Sequence, residues 1–222
     1  MDATDATFWH ERWQNKDIGF HQAEIHALLQ KHWHRLGIAR GSNVFVPLCG
    51  KSLDMVWLAE QGHRVIGAEL SPLAIDEFFA ERGLEPNVRA VGNFAVKSAG
   101  PFELWCGDIF EMPHEAASHV AGVYDRAALV AFPVELQQRY AAKLRELLAA
   151  ETPMLLVTLD YDPASMTGPP FSVPRAQVDR LFADHRVITE LECRPALDLH
   201  PPFRQRGLTS LDEYAYLLQG RT

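Results

Sequence analysis

The side chains best suited to chemistry in this chain stand at the ends of apolar runs. Glu69 closes "VIGAEL", Asp108 follows "FELWCG", and Asp125 and Arg126 follow "HVAGVY". A carboxylate at the end of a second strand, roughly 20 residues past the first strand-to-helix turn, can accept from both hydroxyls of a ribose. Glu69 has that spacing; "ELSP" equally suits a helix start, with Ser71 as cap and Pro72 at the first helical position. Asp108 in "CGDIF" is placed either to accept from an exocyclic adenine amine, with Ile109 and Phe110 covering the ring, or to cap a helix. Arg126 stands where positive charge serves a cofactor carboxylate or an anionic nucleophile. The other reading is an Asp125–Arg126 ion pair that merely closes the strand end; Asp125 is not a base candidate, although it could orient Arg126.

A second stretch, "NVFVPLCGKSLDM", ends in the Gly-Lys-Ser of a phosphate-cradling loop. That loop needs a glycine five positions before its Gly-Lys, so that successive N–H groups can face phosphate oxygens. Phe45 holds that position, and Pro47 in between has no N–H to give. The dinucleotide fingerprint G-x-G-x-x-G fails too, since only Gly50 is present. What remains is a strand, a tight turn and a helix capped at Ser52, fit for a ligand that brings little or no phosphate, with Lys51 left to solvent.

These residues need a scaffold, and the chain alternates accordingly. A helix is expected over about 21–36, where Ile25, Leu28, Leu29 and Trp33 have amphipathic spacing. Strand "NVFVPL" follows, then a helix over 52–61, strand "RVIGAEL", a helix over 72–82, a looser stretch and strand "FELWCGD". Strand "HVAGVYD", a helix over 134–149, strand "PMLLVTLD" and a helix over 175–183 continue the rhythm. Short, continuously apolar strands alternating with helices indicate a parallel sheet covered on both faces. The last two strands, "RVITELEC" and "EYAYLL", have no clear helix between them and must pair antiparallel. The expectation is a single α/β domain over 1–222: a Rossmann-like, mostly parallel seven-stranded sheet ending in an antiparallel hairpin, as in methyltransferases rather than dehydrogenases.

A formal charge of −8 disfavours nucleic acid and anionic membrane as partners, which leaves a small molecule. No apolar run approaches the roughly 18 residues that cross a bilayer, and "MDATDATFWHERW" lacks the layout of a signal peptide, so a cytoplasmic protein is expected. The three cysteines, Cys49, Cys106 and Cys193, fit neither a zinc pattern nor a disulfide framework. Among the ten histidines, His32 and His34 are two apart on a helix and point to different faces, so no metal is expected.

Taken together, "FWHERWQNKDIGFHQ", "VFVPLCGKSLDM", "VIGAELS", "YDRAALVAF", "LDYDP" and "GPPFSVP" resemble the thiopurine S-methyltransferase family, in its bacterial branch, from about Trp9 to Leu218. The resemblance implies an S-adenosylmethionine-dependent enzyme that methylates sulfur, and often selenium, on small acceptors. It implies cofactor contacts from Trp9, Leu48, Glu69, Asp108, Ile109 and Arg126, with Arg126 also near the acceptor sulfur. Phe20 would border the acceptor pocket, and an arginine of the segment before the last strand, Arg204 or Arg206, would join it. Related sequences extend the acceptors to halide, thiocyanate and inorganic selenium or tellurium species. A non-catalytic adenosyl-binding module is the remaining alternative.

Such chemistry suits these residues. Methyl transfer from a sulfonium is an in-line displacement with a neutral leaving group, so alignment of the two sulfurs and ionisation of the acceptor are the main tasks. Arg126, with Arg204 or Arg206, can favour a thiolate, and no dedicated base is required. Phe8, Trp9, Trp13 and Phe20 within about 1–40, together with the proline-braced "GPPFSVP", are expected to form a lid over the site of a monomeric enzyme.

Overall fold

The computed structural model describes residues 5–221, and a nine-stranded sheet runs through them. The strands are β1 (Asn43–Pro47), β2 (Arg64–Glu69), β3 (Asn87–Val91), β4 (Phe94–Ala99), β5 (Phe102–Cys106), β6 (Gly122–Arg126), β7 (Met154–Asp160), β8 (Arg186–Pro195) and β9 (Asp212–Gly220). Their spatial order is β3-β4-β5-β2-β1-β6-β7-β9-β8. The five from β5 to β7 are parallel, while β9 runs antiparallel to β7 and β8 antiparallel to β9. β2 and β6 flank β1 on opposite sides, so the strand order reverses there, where ligands settle in open α/β sheets.

All seven expected strands are present, and the expected count is corrected by a hairpin, β3–β4, that extends the sheet past β5. β3 is an edge strand of mostly exposed residues, without the apolar run that marked the others. Its signal is Gly92-Asn93, a two-residue turn with Gly92 at φ +55° between paired Val91 and Phe94.

Helices α1 (Ala6–Gln14), α2 (Ala27–His32), α3 (Leu53–Glu60), α4 (Pro72–Ala80), α5 (Val134–Leu147), α6 (Arg175–Phe182) and the short α7 (Pro201–Gln205) complete the fold. The expected helix over 21–36 is shorter: it starts at Ala27 and tightens into a 3₁₀ turn that Gly37 ends at φ +67°. Ser52 caps α3 by accepting from the Asp54 N–H, and Ser71 caps α4 with Pro72 in the first turn. Asp5 caps α1, its carboxylate accepting from the Thr7 N–H at 2.9 Å.

Strand parity divides the core. Val44, Val46 and Val65 pack with Leu28, Met55, Leu58, Ile75 and Phe78 on one face of the sheet. Phe45 and Ile66 pack with Tyr140, Leu144, Val178 and Phe182 on the other. A smaller cluster of Leu159, Tyr161, Met166, Leu197, Leu208 and Leu211 fastens the segment after β7 to the segment carrying α7. Among the described residues no helix is long and apolar enough to cross a membrane.

Candidate active site

The turn after β1 is built for close approach. Leu48 takes φ +47° and Gly50 φ +52°, while the Cys49 N–H bonds the Ala68 carbonyl at 2.9 Å and holds the turn against β2. Gly67 makes room beneath: a Cβ there would lie 2.6 Å from both Cys49 Sγ and Leu104 Cδ2. Glu69, buried at the end of β2, accepts from the Gly50 N–H through Oε2 (2.9 Å) and from the Ser71 N–H through Oε1 (2.7 Å). One carboxylate thus ties the first turn to the start of α4. Burial pushes its carboxyl upward, against the N–H bonds that favour the anion. Each oxygen keeps a second lone pair, the capacity a pair of ribose hydroxyls requires.

Beyond β6 the chain separates two neighbours that the sequence reading joined. Tyr124 and Arg126 share one face and Asp125 takes the other, so Asp125 neither pairs with Arg126 nor orients it. Asp125 is fully buried, accepting from the Leu129 N–H (3.1 Å) and the Tyr140 hydroxyl (2.7 Å). Burial pushes its carboxyl up to about 6, against the hydrogen bonds that favour ionisation. It holds the turn in which Ala127 adopts φ +64°.

Arg126 lines a cavity with Trp13, Phe20, His21, Leu48, Asp54 and Tyr124. The Tyr124 hydroxyl donates to Asp54 Oδ2 (3.1 Å), and the His26 N–H donates to Asp54 Oδ1 (2.8 Å). Trp13 and Phe20 meet edge-on at 5.5 Å, Trp9 packs edge-on against Phe20 at 5.9 Å, and a Cβ on Gly50 would lie 3.1 Å from the Trp13 ring. The amino-terminal helix therefore rests on the first turn. Asp54, His21 and Tyr124 were not singled out from the sequence as site residues, and Trp13 only as part of a lid. Asp54 reads there as a charge in a first helical turn, and His21 as one histidine of ten. His21 is held below the ordinary imidazole value by burial first and then by the Lys51 charge. Lys51 itself is not left to solvent: it bridges Glu77 (2.7 Å) and Glu81 (2.6 Å), tying the turn to α4.

The remaining candidates are dispersed. Asp108 is exposed and caps a 3₁₀ turn by accepting from the Phe110 N–H (2.9 Å), while Ile109 is buried in the core. Arg204 pairs with Asp198 at 2.5 Å. Arg206 donates to the Pro169 carbonyl (3.1 Å) in the "GPPFSVP" loop. Of the two arginines, Arg206 is the one that meets the expected lid.

A parallel sheet closed by an antiparallel pair, with a glycine-poor first turn at the switch point, is the architecture of Rossmann-like class I methyltransferases. Solved structures agree. The Burkholderia thailandensis 1,6-didemethyltoxoflavin-N1-methyltransferase, with bound 1,6-didemethyltoxoflavin and S-adenosylhomocysteine, matches with a TM-score of 0.63 at 16% identity, over 98% of this chain and 87% of that one. An S-adenosylmethionine-dependent methyltransferase from Anabaena variabilis matches with a TM-score of 0.65 at 15% identity, over 97% and 95%.

Sequence relatives narrow the class. A model of the thiopurine S-methyltransferase family matches residues 4–221. Proteins named thiopurine S-methyltransferase from Methylococcus capsulatus and Xanthomonas euvesicatoria pv. vesicatoria are each 49% identical over 219 residues, covering 98% of this chain and 98% and 100% of theirs. The chain belongs to the thiopurine S-methyltransferase family and is an S-adenosylmethionine-dependent methyltransferase. The residues fit that cofactor: the first turn has no phosphate cradle, the carboxylate closing β2 has spare acceptor capacity, and the cavity offers charge of both signs, Asp54 and Arg126.

Proposed function

We propose that the enzyme transfers a methyl group to the sulfur, or selenium, of a small aromatic or heterocyclic thiol or selenol such as a thiopurine. The observation that carries this reading is Arg126, which lines a cavity walled by Trp13 and Phe20 and makes no ion pair with a described residue. A guanidinium between aromatic walls suits a flat acceptor that reacts as its anion. Bound S-adenosylmethionine supplies an electrophilic methyl on a sulfonium. Glu69 takes the ribose, Leu48 and Trp9 wall the cofactor, and Asp108 and Ile109 border the adenine. Arg126 favours the thiolate, Phe20 flanks the acceptor, and Arg206 rather than Arg204 completes the pocket from the loop side. No side chain needs to act as a dedicated base.

The whole chain acts as one domain, a cytoplasmic monomer without nucleic-acid or membrane partners, whose residues up to about 40 and 168–174 close over the reactants and exclude water. Protease sensitivity of the amino-terminal segment should fall when S-adenosylmethionine is added, and light scattering on a sizing column reads the monomer. The decisive experiment is acceptor profiling of wild type, Arg206→Ala and Arg204→Ala with aromatic thiols, selenols, iodide, thiocyanate and selenite. Turnover of thiols that falls at least tenfold in Arg206→Ala and little in Arg204→Ala supports the reading. Turnover confined to the inorganic acceptors refutes it.

A further inference from the structure

We infer that Asp54 holds the α-ammonium group of the cofactor's amino-acid tail, in the cavity that Arg126 also lines. The inference rests on the cofactor assignment and goes beyond it by giving the tail's amine a partner. Asp54 is 2% exposed, yet it lines the same cavity as Arg126. Its two hydrogen bonds come from neutral donors, the His26 N–H at 2.8 Å and the Tyr124 hydroxyl at 3.1 Å. No described cation pairs with it. A buried carboxylate is ordinarily neutralised by a cation or satisfied by several strong donors. Of the other buried acids, Glu213 has Arg194 and His26, while Glu69 and Asp125 are held, like Asp54, by two neutral donors each. What sets Asp54 apart from Glu69 and Asp125 is that it also lines the Arg126 cavity.

The surroundings hold Asp54 in place without neutralising it. Its position in the first turn of α3 puts the anion at the positive end of a helix. Each oxygen accepts one bond and keeps a further lone pair for a donor in the cavity. His26 is itself anchored, its Nε2 lying 3.0 Å from Glu213 Oε1, while Arg194 grips the same carboxylate through Oε2 at 2.6 and 2.9 Å. A chain of side chains from β8 and β9 therefore fixes the residue whose N–H aims the Asp54 carboxylate. A buried anion lining that cavity suits the tail's ammonium, so the site should discriminate against adenosyl thioethers whose tail lacks the amine.

Calorimetric titration of S-adenosylhomocysteine, and of its analogue in which hydrogen replaces the α-amine, into wild type and Asp54→Asn tests the contact as a cycle. In wild type, loss of the amine should weaken binding about 10- to 100-fold, as expected for one or two charge-assisted hydrogen bonds. In Asp54→Asn that penalty should shrink to within about threefold, even if binding of both ligands is weaker. An equal penalty in the two proteins overturns the inference, because a purely structural Asp54 would lower both affinities alike. Should Asp54→Asn fail to melt cooperatively, the wild-type comparison decides. Equal binding of the two ligands overturns the ammonium contact and leaves the cofactor standing, whereas failure to bind either overturns both.

Discussion

Removing the Glu69 carboxylate should damage the fold and the ligand site together, and the two effects can be measured apart. The carboxylate accepts from the Gly50 N–H at 2.9 Å and the Ser71 N–H at 2.7 Å, both on buried residues. Each buried N–H left without an acceptor costs about 1–3 kcal/mol, so Glu69→Ala exposes the protein to a loss of about 2–6 kcal/mol. Relief of the buried charge, the same burial that pushes the carboxyl upward, offsets part of this and brings the expected net loss to about 2–3 kcal/mol. For a chain of this size that is about 4–12 °C in Tm. Glu69→Gln keeps one acceptor oxygen and sets an NH₂ against the other N–H, so it should lose about half as much.

Circular-dichroism melts with and without S-adenosylmethionine separate the roles. If the carboxylate also takes the ribose, both variants lose the cofactor-induced rise in Tm beyond their loss of intrinsic stability, and titration shows affinity falling at least tenfold. A Glu69→Gln protein that melts within a degree of wild type would refute the bracing argument. One that keeps wild-type affinity for the cofactor would refute the ribose contact, whatever its Tm.

Asp125→Asn should change how stability depends on pH. The folded carboxyl stands near 6 against an ordinary 3.8, so its contribution is fully present below 3.8 and is lost as pH rises through 6, a swing of about 3 kcal/mol; urea unfolding at pH 4.5 and 7 should show wild type losing ground to the variant across that interval. Glu213 has the opposite sign: His26 and Arg194 hold it down to about 2 despite burial, so its contribution is present above 4.5 and lost as pH falls through 2. The deficit of Glu213→Gln against wild type in thermal melts should therefore be largest near neutrality and shrink in acid. Gly67→Ala should cost about 1–3 kcal/mol by overpacking against Cys49 and Leu104, and adding Cys49→Ala should recover part of it, a non-additivity that denaturant melts of the double variant would read.

How legible each part was depends on whether its signal was local. β1, β2 and β5 to β7 are apolar because helices cover both faces, and Ser52 and Ser71-Pro72 mark their helix starts, so the scaffold could be read from composition along the chain. The β3–β4 hairpin is a half-solvated edge with no such run, and only Gly92-Asn93 announces it. Asp125 carries a local signal in strand parity. Adjacent residues on a strand face opposite ways, so parity alone separates Asp125 from Arg126 and groups Arg126 with Tyr124. Arg206 and Arg204 differ only by what lies across from them, the 168–170 backbone or Asp198, and no sequence pattern records that.

The first turn explains why a Gly-Lys-Ser match could mislead and still mark the site. A phosphate loop holds its shape by wrapping N–H groups around an anion that arrives with the ligand. Here the anion belongs to the protein: the Gly50 N–H that a phosphate would take is committed to Glu69, and Lys51, which would reach for phosphate, is bound to Glu77 and Glu81. The turn is thus braced before any ligand arrives, and Trp13 presses on its outer side at Gly50. Glu69 from the sheet and Trp13 from α1 both contact Gly50. A shift of α1 at Gly50 reaches the Glu69 carboxylate through the Gly50 N–H, so the amino-terminal helix and Glu69 are linked through a single peptide unit.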